Sequence, residues 1–402
     1  MKAPSELKLS NLSLAALWFG AAVSLAEIVT GGLLSPLGWA GGTWALVAGH
    51  ILGGVIFFGA GWVAWTRGQT AIGTVDGAFG TGGKVLFGIL NVLQLVGWTA
   101  VMVITGAQSL ASILQSFGAA DSLLVSKLLL GGLLLLWTGL GFQGIRTLNL
   151  AAVVLLLGLT VVMGWEVFGA GRGAVAPVPA EALRFGDGLE LSVLMPLSWL
   201  PLVGDYSRRA KKGFAGNLAG ALGYLVGSSW MYLIGLGSTL SLGTGDPTQQ
   251  MVKAGLGFAG LAIVILSTVT TGFLDVFSAG ISLKTAFPRV PERLSALVLG
   301  TLGLGLALIF PMDQYTTFLG LLGAVFAPLF AIILAHHFLV RGRSPIRGQI
   351  IAFAAWSLGA AGYYPLQNLS LPLGATVPDM ILTAIIYLLI MKGVKLWKRP
   401  QL

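Results

Sequence analysis

The chain has 402 residues, 56% of them hydrophobic and only 9% charged, with a mean hydropathy of +0.90. A soluble domain carries about 25% charged residues, so most of this chain meets lipid or other apolar segments and not water. Cysteine is absent, which excludes a disulfide, a zinc–thiolate centre and a cysteine nucleophile.

Met1–Leu9 is polar and mixed in charge, and the apolar run after it is longer than a signal-peptide core, which predicts no cleavable signal. A crossing helix needs about 20 apolar residues. Runs of that kind fall at 13–34, 42–66, 83–115, 123–142, 147–169, 189–206, 214–241, 256–283, 293–311, 315–340, 347–364 and 374–395, which predicts an all-α polytopic membrane protein of about twelve transmembrane helices. Charged or proline-marked loops separate several of them, as at Thr66–Gln69, Ala210–Gly213, Phe287–Pro291 and Arg341–Pro345. The longest loop, Ala170–Gly188, holds Pro177 and Pro179.

Lysine and arginine set the orientation. With the N-terminus inside, 19 of the 23 basic residues fall on one side, and only Lys127, Arg172, Arg184 and Lys253 on the other. This is the positive-inside pattern, with both termini cytoplasmic in a bacterial inner membrane. It accounts for the net charge of +9 as a topology signal, so no nucleic-acid partner is expected; the partner is the lipid bilayer.

Ionised groups at bilayer depth are costly and usually functional. Glu27 sits in the middle of the first span and Asp275 in the second half of the eighth. Each is either a carboxyl hydrogen-bonded to a neighbouring helix or a contact for substrate or cation. The lack of a lysine or arginine at the same depth favours the second reading. Small residues surround Glu27, namely Gly20, Ala21, Ala22, Ser24 and Ala26 before it and Thr30-Gly31-Gly32 after it; they suit close helix packing and equally a helix that breaks at mid-membrane. The sixth span carries Pro196 and Pro201 around Ser198 and Trp199. Prolines remove amide donors, which gives either an ordinary kink or a broken helix, and broken backbone at this depth is tolerated only beside protein or a polar cavity.

Spans one and six are five apart. Interrupted segments at matching positions of two halves point to an inverted-repeat transporter. On that scheme a single transmembrane domain comprises a first repeat at 13–169, a second at 189–340 and two added helices at 347–395. On the third span Gln94 and Trp98 share a helix face, and on the eighth Thr271 and Asp275 do so. An amide and an indole suit the edge and the plane of a flat heterocycle, although a tryptophan in a membrane helix more often packs or anchors at the interface; Trp199 offers a second stacking surface. Thr270 and Thr271 present hydroxyl oxygens of the kind a sodium ion accepts, unless they bond back to their own helix. The three histidines, His50, His336 and His337, are not spaced with carboxylates as a metal set, and Asp205 is expected to pair with Arg208 and Arg209. No Gly-Lys-Ser/Thr phosphate loop is present.

Taken in order, Ala26-Glu27-Ile28-Val29-Thr30-Gly31-Gly32, Gln94-Leu95-Val96-Gly97-Trp98, Gly204-Asp205-Tyr206-Ser207-Arg208 and Thr270-Thr271-Gly272-Phe273-Leu274-Asp275 resemble the nucleobase:cation symporter-1 family, which includes cytosine and hydantoin permeases. The likeness runs over essentially the whole chain and is strongest to the branch of hydroxymethylpyrimidine transporters linked to thiamin precursor salvage. It implies a leucine-transporter-type 5+5 inverted repeat with broken helices one and six. It also implies substrate stacked on Trp98 with Trp199 nearby, and a sodium ion held by carbonyls near Ala22 to Leu25 and by the Thr270 and Thr271 hydroxyls. The chain departs from cytosine permease at Glu27 and in the span-eight stretch, so its substrate is expected to differ from cytosine.

The expected substrate-binding set is therefore Glu27, Gln94, Trp98, Ser198, Trp199 and Asp275, and the expected sodium set Ala22, Leu25, Thr270 and Thr271. A carboxyl that accepts from an exocyclic amine and donates to a ring nitrogen fits the edge of a 4-aminopyrimidine. The expected activity is sodium-coupled import of hydroxymethylpyrimidine, with proton-coupled transport of another nucleobase-like or amino-acid-like solute as the alternative. No catalytic pair, metal set or selectivity filter is visible, so neither an intramembrane enzyme nor a channel is expected.

Overall fold

The computed structural model describes residues 8–118, 120, 122–169, 183–243, 249, 257–310 and 314–393. Lys2, Arg172, Lys253, Lys395, Lys398 and Arg399 of the topology argument lie outside these, as does most of the 170–188 loop. The described residues are helical apart from connecting turns and one backbone bridge between Leu9 and Ala210.

The first crossing is two helices, α1 (Asn11–Ala22) and α2 (Leu25–Gly32). Ser24 between them is extended, at φ −134° and ψ 155°, and its hydroxyl caps the Glu27 amide at 3.4 Å. Helix α3 (Gly38–Arg67) follows, then α4 (Asp76–Ser116), bent near its start where Gly80 holds φ 67°. Helix α5 (Leu123–Phe168) is helical throughout. The sequence predicts a break at 143–146, between the spans 123–142 and 147–169; the backbone stays helical there, so the two crossings are arms of one helical stretch.

The sixth crossing is α6 (Phe185–Ser198) and α7 (Leu200–Ser207). Its interruption is tighter than that of the first. Trp199 keeps right-handed helical angles, φ −86° and ψ −10°, and its carbonyl accepts both the Leu202 and the Val203 amides. Pro201 has no amide to continue the ladder, so the helix narrows for a turn and then resumes. The remaining helices are α8 (Gly213–Leu242), α9 (Gly257–Ala286), α10 (Glu292–Ile309), α11 (Tyr315–Ala335), α12 (Ile346–Asn368) and α13 (Thr376–Gly393); a π turn, His336–Val340, extends α11. Among the described residues, eight helical stretches are long and apolar enough to cross a bilayer unaided.

The helices form two packed groups. Helices α1, α2, α3, α6 and α8 pack on one another, with α7 against α3; α4, α5, α9 and α10 make the second group. Helices α11, α12 and α13 pack together at the side. Large apolar residues such as Val55, Val226, Leu302 and Leu389 stay exposed on outward faces, as expected of surfaces that meet hydrocarbon and not water.

Two glycines bring α2 and α8 into backbone contact. A Cβ at Gly31 would collide with the Tyr232 carbonyl, and one at Gly235 with the Ile28 carbonyl. This close approach sets the depth at which Glu27 meets α8. Gly235→Val is expected to destabilise the fold by about 1–3 kcal/mol through overpacking, whereas Gly132→Val, where a Cβ meets nothing within 4 Å, leaves the melting temperature in detergent unchanged. Equal melting temperatures for the two variants would contradict the tight α2–α8 contact.

Candidate substrate and ion site

The break in the first crossing leaves the carbonyls of Ala21 and Ala22 without their usual partners four residues on. Thr271 Oγ1 on α9 donates to the Ala21 carbonyl at 3.3 Å, and the Ser24 amide donates to the Ala22 carbonyl at 2.9 Å. Extended backbone is thereby satisfied at membrane depth, as it must be.

Beside this break a small cavity of about 10 Å³ lies at the junction of the two helix groups. Ser24, Ala26 and Glu27 come from the first crossing, Trp98 and Met102 from α4, Met195, Ser198, Trp199 and Leu202 from the sixth crossing, and Thr271 and Asp275 from α9. Five of the six expected substrate residues line it. Gln94 does not: it is buried one turn from Trp98 and donates through Nε2 to Asn91 Oδ1 at 2.7 Å, while its Oε1 is buried without a hydrogen-bond partner. Asn91 in turn donates to the Pro201 carbonyl at 2.9 Å and to Ser282 Oγ at 2.7 Å. Gln94 thus belongs to a bridge from α4 to α7 and α9 beneath the cavity.

The two carboxyls sit in contrasting surroundings. Both are buried, Glu27 at 1% exposure and Asp275 at 3%. Tyr224 Oη donates to Glu27 Oε1 and Ser228 Oγ to Glu27 Oε2, each at 2.7 Å, and the Trp199 indole donates to Tyr224 Oη at 3.1 Å. Asp275 has no hydrogen-bond partner among the described residues. No lysine or arginine lines the cavity. Trp98 is held edge-on by Tyr315 and Phe318, with centroids at 6.2 and 5.4 Å, and Trp199 edge-on by Trp18 at 5.5 Å. Tyr315 Oη also meets Thr30 Oγ1 at 2.9 Å, which ties α11 to α2 at one end of the chamber.

Of the expected sodium set, Ala22 and Leu25 flank the break and Thr271 lies over it, bonded to Ala21 and to neither of those two. Thr270 turns its hydroxyl back to the Leu266 carbonyl at 2.7 Å. Asp205, expected to pair with Arg208 and Arg209, accepts the Ala71 amide at 3.1 Å, with the Arg208 and Arg209 charges nearby. Sequence reasoning missed Tyr224, Ser228 and His50, which meet only through the packing of α2, α3 and α8. It also missed Glu190. This buried carboxylate accepts from Tyr363 Oη at 2.6 Å, from the Ala375 and Thr376 amides at 2.9 Å each, and from Thr376 Oγ1. It therefore caps the N-terminus of α13, a favourable place for a negative charge.

A family model described as permease for cytosine/purines, uracil, thiamine, allantoin matches residues 4–361. The chain belongs to this family. It is 25% identical to cytosine permease of Escherichia coli K12 over 349 residues, 85% of this chain and 80% of that protein. Cytosine permease of Escherichia coli O157:H7 is 24% identical over the same length. The fold matches Mhp1, a nucleobase-cation-symport-1 family transporter solved closed with bromovinylhydantoin bound, at a TM-score of 0.79 and 20% identity, over 98% of this chain and 95% of that one. It also matches a sodium-coupled sialic acid symporter at a TM-score of 0.69 and 13% identity, over 96% and 90%. The permease therefore has the leucine-transporter-type fold, with broken first and sixth helices and two further C-terminal helices. It is a multi-pass membrane transporter for a small nucleobase-type molecule and not an enzyme.

In the permease, Tyr224→Phe is expected to release the Trp199 indole and one oxygen of Glu27. Loss of hydrogen bonds of this kind costs about 1 kcal/mol each. The check is the indole N–H signature of Trp199 in ultraviolet resonance Raman spectra, assigned with Trp199→Phe. An unchanged signature in Tyr224→Phe would contradict the bond.

Proposed function

We propose that the permease imports hydroxymethylpyrimidine, or a pyrimidine sharing its 4-amino edge, by sodium-coupled symport with alternating access. The observation that carries this reading is the pairing of two carboxyls and two indoles, Glu27, Asp275, Trp98 and Trp199, in one cavity free of lysine and arginine. Indole faces stack on flat rings, and a carboxyl pairs with an amine and its neighbouring ring nitrogen through charge-assisted hydrogen bonds. Each oxygen of Glu27 accepts one bond from the protein and retains acceptor capacity for a ligand. Ser198 donates to the Met195 carbonyl at 2.7 Å and offers its lone pairs at the cavity wall.

For the cation, the Ala21 carbonyl and the Thr271 hydroxyl supply hard oxygens at the end of α1, where the helix dipole is negative. Ala22 and Leu25 add backbone oxygens, and Thr270 joins by turning away from Leu266. A bound sodium ion would neutralise charge beside the carboxyls. The two helix groups rock about the shared cavity, with repeats at 13–169 and 189–340 and the added helices at 347–395. The chain lies in a bacterial inner membrane with both termini cytoplasmic, in keeping with its basic loops.

A second reading replaces sodium by a proton. The bonds that Thr270 and Thr271 already make, together with the unpartnered Asp275, favour it. Uptake of labelled hydroxymethylpyrimidine into proteoliposomes separates the two, with sodium replaced by choline at several pH values. The leading reading expects accumulation only with an inward sodium gradient. It also expects an apparent affinity at least about tenfold weaker in Glu27→Gln, equivalent to about 1.4 kcal/mol. Uptake independent of sodium and driven by acid outside selects the proton; no uptake of hydroxymethylpyrimidine overturns the substrate.

A further inference from the structure

His50 on α3 is buried at 2% exposure, and its Nε2 lies 2.6 Å from Ser228 Oγ, the same oxygen that stands 2.7 Å from Glu27 Oε2. A serine hydroxyl has one proton and two lone pairs. If Ser228 donates to Glu27, His50 must donate Nε2–H to Ser228. If Glu27 is protonated and donates, Ser228 turns its proton to His50, whose Nε2 is then bare. Both arrangements satisfy every member of the chain, and they differ by the position of protons alone. The other ring nitrogen, Nδ1, is buried without a well-formed hydrogen bond, beside the Leu46 carbonyl one turn back. With Nδ1 protonated towards that carbonyl, the imidazole accepts a further proton at Nε2 without losing one.

We propose that Glu27, Ser228 and His50 form a proton relay, in which His50 stores the proton that Glu27 gives up when it meets a ligand as a carboxylate. The step balances within the chain. The Glu27 O–H bond breaks as its proton joins Ser228 Oγ, and the Ser228 O–H bond breaks as that proton joins His50 Nε2. A carboxylate and an imidazolium result, with the hydroxyl restored. No water is needed, because the three groups are in direct hydrogen-bond contact. His50 is a positioning residue: it acts on the ligand only through Glu27, and it lets one carboxyl present either a donor or two acceptors to the substrate edge. The remaining groups around the relay are hydroxyls. Tyr232 on α8 packs edge-on to His50 at 4.9 Å and donates to the Leu191 carbonyl, Tyr224 on α8 bonds Glu27, and Tyr315 on α11 bonds Thr30. The acid of α6, Glu190, is engaged with Tyr363 and Thr376.

The relay concerns the proposed binding pocket, yet its test needs no ligand, so a wrong substrate leaves it standing. Full-length protein labelled with ¹⁵N-histidine is reconstituted in lipid and titrated by solid-state NMR. His50 is assigned with His50→Gln, and the Glu27 carboxyl band is followed by infrared difference spectroscopy with Glu27→Gln as reference. The relay expects the His50 ring signals and the Glu27 band to change together over one pH range. It expects the His50 profile to move by about one pH unit or more in Glu27→Gln. Ser228→Ala uncouples the two signals, and Ser228→Thr, which keeps the hydroxyl, restores the coupling. His50 signals that follow the same pH profile in wild type, Glu27→Gln and Ser228→Ala would overturn it. Glu27→Gln keeps the side-chain volume, so the test survives if Ser228→Ala fails to fold.

Discussion

The structure turns on the interruption of the first crossing at Val23 and Ser24. In hydrocarbon an unpaired backbone group costs several kcal/mol, so a helix can open there only if other residues take up the freed groups. Here the Thr271 hydroxyl takes the Ala21 carbonyl, Ser24 closes on Ala22, and the Ser24 side chain takes the Glu27 amide. These bonds join α1, α2 and α9, and so bind the two helix groups to one another at the point where the cavity forms. Glu27 stands in the first turn of α2, where the helix dipole favours a negative group.

The second interruption has a different character and a different use. Pro201 narrows the sixth crossing for a turn without extending the backbone, and Trp199 stays helical while its ring reaches the cavity wall. Its indole donates to Tyr224 and thereby to Glu27. Polar chains of this kind rigidify a site when every member is satisfied. The first and sixth crossings are thus linked through α8, and the group containing them presents Glu27 and Trp199 as a unit. Trp98 and Asp275 face them from the other group. A cavity shared in this way changes shape whenever the groups shift, which is the geometric requirement for alternating access.

The two acids divide the chemistry. Glu27 is bonded at both oxygens and held in one orientation, whereas Asp275 is buried with no bonded partner among the described residues. A preorganised carboxyl suits recognition of a defined edge. An unpartnered one at the same depth is costly while ionised, and it gains most from a cation or from a donor on a ligand.

Much of this was legible in the residues. Hydropathy gave the crossings, with one break misplaced in α5 because the short interruption Gln143-Gly144-Ile145-Arg146 need not end a helix. Intramembrane acids and prolines marked Glu27, Asp275, Ser198 and Trp199, because charge and missing amides at bilayer depth are conspicuous against apolar sequence. Gln94 was read into the cavity on the same face as Trp98, yet a helix face spans more than one environment, and Gln94 is claimed by Asn91. His50 and Ser228 carry no such mark: a lone histidine and a serine among glycines and leucines read as packing. The sequence by itself determined the membrane class and the acids that need a partner, since each follows from the cost of polar groups in lipid. Only the tertiary structure decided which groups partner them, because α2, α3 and α8 meet through glycine contacts between residues some 200 positions apart, as in the bond from Glu27 to Ser228 at a separation of 201.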